Sequence, residues 1–227
     1  SKFFWQYDHR YASVNNTEIN YVDNTSHLST EYIIKTNYIV NEPDLPDKFK
    51  PKIHDYSLAY RVICRSTDER TLVATILPRC GLINSANNIH RVVKIDACLL
   101  LANLNTFVLD YVCRQSMGGA NLHSYVFQQL AVIPPDKFSL TSGWGHLEQT
   151  YKDWISPRVL ELTYTAWDLE AFAKDCDFDG PPFQWDEARR FQIRCELDAE
   201  FFHLYGIERD DVDYIMETFP IVKRKDE

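Results

Sequence analysis

The chain has 227 residues, of which 45% are hydrophobic and 14% aromatic, with only seven glycines; this supports a sizeable core and excludes a disordered or low-complexity chain. Its net charge is −9, but residues 1–150 balance 14 Lys and Arg against 14 Asp and Glu, while residues 151–227 hold 10 against 19, so the first part does not repel a polyanion. The six cysteines form no Cys-x-x-Cys pair and have no His at zinc spacing; with no secretory signal and no apolar run near the ~18 residues of a membrane span, free thiols in a cytoplasmic protein are expected.

The opening Phe3-Phe4-Trp5-Gln6-Tyr7-Asp8-His9-Arg10-Tyr11 is aromatic and starts in mid-pattern, as a piece of a longer protein would. Residues 12–30, rich in Ser, Thr and Asn, read as loop, and residues 31–40 as a strand. Residues 41–52 carry three prolines and form a connection. Residues 56–64 read as a strand, 65–70 as a polar turn, and 71–77 as a buried β-branched strand ending at Pro78. Residues 80–94 are loop and short strand, and the polar run from Asn84 to Asn88 is either a solvated loop or a contact surface.

Leu100, Leu104, Phe107, Val108, Tyr111 and Val112 recur at helical spacing. They predict one apolar helix broken at Gly118-Gly119, then an extended segment ending at Pro134-Pro135. Polar side chains crowd at and after that break: Arg114, Gln115, Ser116, Asn121, His123, Ser124, Gln128 and Gln129. Residues 139–145 read as a linker. Ser156-Pro157 reads as an N-cap and first helical position, starting a helix to about residue 175. A turn at 179–182 precedes a helix over 186–205, closed by Gly206, and a short helix over 209–219. Trp154, Tyr164, Trp167, Phe183 and Trp185 would form the core of this tail. The expected architecture is α/β (α+β): a mixed-sheet domain over residues 1–138 and a mainly helical region over 139–227.

Three tracts carry a family likeness: YRVICRSTDERTLVATILP at 60–78; QLAVIPP at 129–135 after the helix and Gly-Gly; and ELTYTAWDL at 161–169 with GPPFQWDE at 180–187 and FPIV at 219–222. In this order they resemble the C-terminal, TaqI-like specificity region of large bacterial restriction–modification proteins with an N6-adenine DNA methyltransferase core, and related phage-defence modification enzymes. The chain departs from that pattern at Gly81-Leu82-Ile83-Asn84-Ser85, at His123-Ser124 and at Leu130-Ala131. The resemblance implies a target-recognition portion that positions double-stranded DNA for a methyltransferase domain outside this chain. The Asn-Pro-Pro-Tyr motif and Gly-rich S-adenosylmethionine loop of such domains are missing, and Asn41-Glu42-Pro43 and Gly118-Gly119 do not replace them. The fragment is therefore expected to be no enzyme and to bind no cofactor itself; S-adenosylmethionine would belong to the catalytic domain of the parent, an adenine-specific methyltransferase with or without a fused endonuclease.

Reading a duplex takes cations for phosphates and Arg, Asn, Gln, His or Ser for base edges. The candidates are Arg61, Arg65, Thr67, Arg70, Asn84, Arg114, Gln115, Asn121 and His123. Each has a structural alternative: Arg70 can pair with Asp68 or Glu69, and Arg114 can offset the dipole at its own helix C-terminus. His54-Asp55 and His90 have no serine or cysteine in nucleophile context. Asp175, Asp177 and Asp179 with Gly180 suggest a calcium loop, but Pro181-Pro182 would break its geometry, leaving a turn. Glu208, Asp210, Asp211 and Asp213 form a solvated face, or one that docks on a basic surface of the catalytic domain. A protein-interaction module is accordingly the alternative function.

Overall fold

The computed structural model describes residues 3–15, 18–34, 41–47, 55–89, 95–141 and 149–226. Strands Ala12–Asn15 (β1) and Glu18–Tyr21 (β2) pair antiparallel, with Ala12 opposite Tyr21. The Asp23 carboxylate then accepts the Ser26 amide at 2.7 Å and caps helix Asn24–Leu28 (α1). The stretch expected as loop is thus a hairpin and a capped helical turn. Residues 31–34 are not strand: the Tyr32 amide turns back to Ser29 O, and the Arg10 guanidinium binds the carbonyls of both. The rest of the expected strand, 35–40, lies outside the described residues.

Tyr56–Arg61 (β3) is the central strand, antiparallel to Ala74–Pro78 (β4) on one side and Ala86–Ile89 (β5) on the other. Both faces are covered, because alternate residues serve different layers. Leu58 and Tyr60 join Ala74 and Ile76 in the main core, whereas Ala59 packs with Val73, Leu77, Ala86 and Phe4 in a second cluster edged by Trp5 and Leu82. The aromatic opening of the chain is therefore a lid on the back of this sheet.

The predicted long helix is two, Ile95–Leu104 (α2) and Phe107–Ser116 (α3), bent by 62° between them. The break falls at Asn105-Thr106, not at the glycines. Thr106 Oγ1 caps α3, and Asn105 turns its amide onto Ala74, accepting N–H and donating to O at 3.0 Å each. Gly118 and Gly119 stand in open space with ordinary backbone angles. The segment expected to be extended instead contains the turn Ser124–Phe127 (α4).

Tyr151–Thr163 (α5) starts six residues before Pro157, from a Thr150 cap that accepts the Asp153 amide. Pro157 is internal, and the helix stops at Tyr164 before Glu170–Asp175 (α6). Glu187–Leu204 (α7) matches its prediction: Asp186 caps it, and Gly206 closes it at φ +67°. Arg209–Glu217 (α8) and Pro220–Asp226 (α9) complete the chain described.

Residue 138 does not separate two cores. Leu58, Ile76, Leu101 and Leu109 share one buried cluster with Ile155, Phe172, Phe201 and Phe219. Of the aromatics assigned to the tail's own core, Tyr164 is fully buried but Trp167 is 41% exposed. Among the described residues no single helix is long and apolar enough to cross a membrane. The architecture is α+β.

Candidate nucleic-acid interface

Three of the predicted arginines point inward. Asp110, fully buried on α3, accepts the amides of Thr71 and Leu72 at 3.1–3.2 Å and forms ion pairs with Arg70 Nε at 2.9 Å and Arg114 Nε at 3.4 Å. Arg70 also lies 3.9 Å over the Phe107 ring and donates to Asn105 O. Arg114 stacks on Phe219 at 3.9 Å and donates to the carbonyls of Asp68 and Glu69 at 2.6 and 2.8 Å. Arg61 donates to Arg70 O at 2.8 Å and sits over Trp5. Burial pulls the guanidinium pKa of Arg61 and of Arg114 below the usual arginine range. The assignment of Arg61, Arg70 and Arg114 to DNA contact is corrected: they hold the 65–70 turn from beneath.

The structural alternatives named other partners. Arg70 does not pair with Asp68 or Glu69, because Asp68 caps the Arg65 amide at 2.9 Å and Glu69 pairs with Lys225 at 2.6 Å. Arg114 does not simply cap its own helix; it ties α3 to the turn and to Thr218 O at 3.2 Å.

The other candidates are all exposed: Arg65, Thr67, Asn84, Gln115, Asn121 and His123. Backbone hydrogen bonds bring most of them together. Leu122 N donates to Val62 O at 2.7 Å, Cys64 N to Ala120 O at 3.2 Å, and Val62 N to Ser85 O at 2.9 Å. The segment 62–64 is therefore laced between the 84–85 and 120–122 loops, and Ile63 and Asn121 are paired as an antiparallel bridge. Arg65 follows on the central segment, Asn84 lies on one flank, and Asn121 and His123 lie on the other. Gln115 stands two residues before Met117, whose Sδ is 3.8 Å from Cys64 Sγ. His123 stacks parallel to Tyr125 at 5.6 Å. Ile63, Ile83 and Tyr125 are 54%, 66% and 64% exposed beside these polar groups.

The other constellations are accounted for inside the fold. Arg10 has no exposed surface and donates to the carbonyls of Ser29, His27 and Thr165 at 2.7–3.1 Å, and His9 Nε2 is 2.9 Å from Asp168. They fasten the N-terminal segment to the helical region. Asp8 is buried, which raises its pKa, but the His27 hydrogen bond and the charges of His27 and Arg190 hold it below the usual carboxylate range. Asp175 accepts the Tyr56 hydroxyl at 2.7 Å. Among the described residues no group of three His, Cys, Asp or Glu could hold a metal ion, and His54 and His90 lie outside them.

The residues missed in the sequence are Asp110 and Asn105. Their signal was present as polar side chains inside the most apolar stretch of the chain, with Asp110 four residues before Arg114. Comparison with protein-family models, with characterised proteins and with solved structures gives no match for this chain.

Proposed function

We propose that this chain is the DNA sequence-recognition portion of a type II restriction–modification methyltransferase, reading double-stranded DNA with the surface formed by the 62–67, 83–85 and 120–123 segments. The observation that supports it is the hydrogen-bonded lacing of these loops, which sets Arg65, Asn84, Asn121 and His123 on adjoining segments above the buried Arg70–Asp110–Arg114 cluster. An Arg fork suits guanine O6 and N7, and an Asn amide suits adenine N6 and N7, at about 1–3 kcal/mol of discrimination per good contact. With Arg61, Arg70 and Arg114 held inside, few cations reach phosphate, so the isolated chain binds weakly and the methyltransferase domain completes the cleft.

Fluorescence anisotropy with mixed-sequence duplexes at low salt tests this reading. Saturable binding is expected, weakening as salt rises. Arg65→Ala should reduce affinity several-fold, and Asn121→Ala should relax sequence preference. Duplex binding that persists unchanged in the Arg65→Ala/Asn121→Ala/His123→Ala variant, or no binding to any duplex, sinks it. The exposed Ile63, Ile83 and Tyr125 favour a second reading, in which the same face seats a protein such as the parent's methyltransferase domain. A complex with that domain, abolished by Ile83→Asp and formed without DNA affinity, would select it.

A further inference from the structure

Two cysteines that are far apart in sequence meet in the core. Cys98, in the middle of α2, and Cys176, at the C-terminal cap of α6, are separated by 78 residues, yet their Sγ atoms are 3.4 Å apart. Both are free thiols. A disulfide needs about 2.05 Å between the sulfurs, so closure asks for little over an ångström of movement. The two cysteines are held differently, and Cys176 is the one at the edge of its element. Cys176 ends a helix of only six residues, and Asp177 follows in the left-handed region at φ +60°.

The two thiols also differ in access. Cys98 is fully buried, whereas Cys176 is part-exposed. We propose that Cys98 and Cys176 are a peroxide-oxidisable pair that closes into an intramolecular disulfide, stapling α2 to the end of α6.

Cys176, as thiolate, attacks one peroxide oxygen; the O–O bond breaks, leaving Cys176 sulfenic acid and hydroxide. The Cys98 sulfur then attacks the sulfenic sulfur, the S–O bond breaks, and the Cys98 proton leaves with that hydroxyl as water. Overall, two thiols and one hydrogen peroxide become one disulfide and two waters. Cys98 suits the second step. Its sulfur already stands 3.4 Å from that of Cys176, so it meets the sulfenic acid as soon as that forms, and its proton has the departing hydroxyl to leave with.

The test uses the full chain carrying C80S and C195S, which removes the two exposed thiols. Hydrogen peroxide should consume two of the four remaining thiols. Non-reducing digestion should give a linked peptide two hydrogens lighter than its parts, with fragment ions placing the bond on Cys98 and Cys176. The melting temperature should rise by about 5–10 °C, as expected for closing a loop of this length, and fall back with dithiothreitol. Adding C176S, at a part-exposed position, should abolish both changes. If Cys176 goes to sulfinic acid while Cys98 still titrates, if all four thiols survive, or if the bond joins other cysteines, the proposal is overturned.

Discussion

Asp110 illustrates what a single buried carboxylate can organise. It receives two amides and faces two guanidinium groups with no access to water. Removing it leaves Arg70 and Arg114 as uncompensated buried cations, so Asp110→Ala should lower unfolding free energy by about 3–5 kcal/mol in urea titrations. Asp198 is a second carboxylate bonded to the start of α3. Its Oδ1 accepts the Phe107 amide at 2.7 Å, but desolvation outweighs that bond and the Arg70 charge, and pushes its pKa up to about 6. A carboxyl with a raised folded pKa binds its proton more tightly when folded. Its contribution is therefore greatest below the unfolded value near 4 and declines as pH rises to about 6, by on the order of 2–3 kcal/mol. Asp198→Asn should remove that decline from the pH profile of chemical denaturation, and an unchanged slope between pH 4 and 6 would contradict the assignment.

At the scale of elements, caps and interruptions decide where helices begin and end. The α2–α3 bend arises because Asn105 satisfies the Ala74 amide and carbonyl with its side chain, while Thr106 caps the next helix. Glycine, the residue that breaks helices on propensity alone, has no part in it. In α5 the error runs the other way. Ser156-Pro157 has the form of a helix start, yet Thr150 and Asp153 cap each other one and a half turns earlier and the proline is carried inside. An internal proline removes one helical hydrogen bond and crowds the preceding turn. Pro157→Ala should accordingly raise stability by about 1–2 kcal/mol, after allowing for the freer unfolded chain, measured by thermal and urea unfolding. A loss of stability would show that the residue is required by its packing.

For the whole molecule, the consequential fact is that the sheet and the C-terminal helices share one core. Phe219 is held between Phe107 and the stacked Arg114, and the Arg10 guanidinium reaches Thr165 from the other end of the chain. A fragment of residues 1–138 should therefore lack cooperative unfolding and a dispersed NMR spectrum, even though composition and charge change near that point. The same integration reaches the candidate DNA surface, because the turn bearing Arg65 rests on Arg114, and Arg114 rests on the C-terminal Phe219. Phe219→Ala should loosen that turn at a distance, seen as faster amide exchange at residues 65–70.

Local patterns sufficed for much of this protein. The central strands, the turn between them, the α7 helix from Asp186 to its Gly206 closure, and the α+β class follow from alternation, helical period and capping residues, all of which act within a few positions along the chain. Only the tertiary structure decided which polar residues face water. An arginine's side chain goes where a carboxylate, a carbonyl and a ring converge, and for Arg114 these come from Asp110, Asp68 and Phe219. No local rule places those three groups around one guanidinium. Burial without a partner is too costly for a cation, and exposure would abandon Asp110, so the fold drew Arg114 inward and left Arg65, Asn84, Asn121 and His123 at the surface.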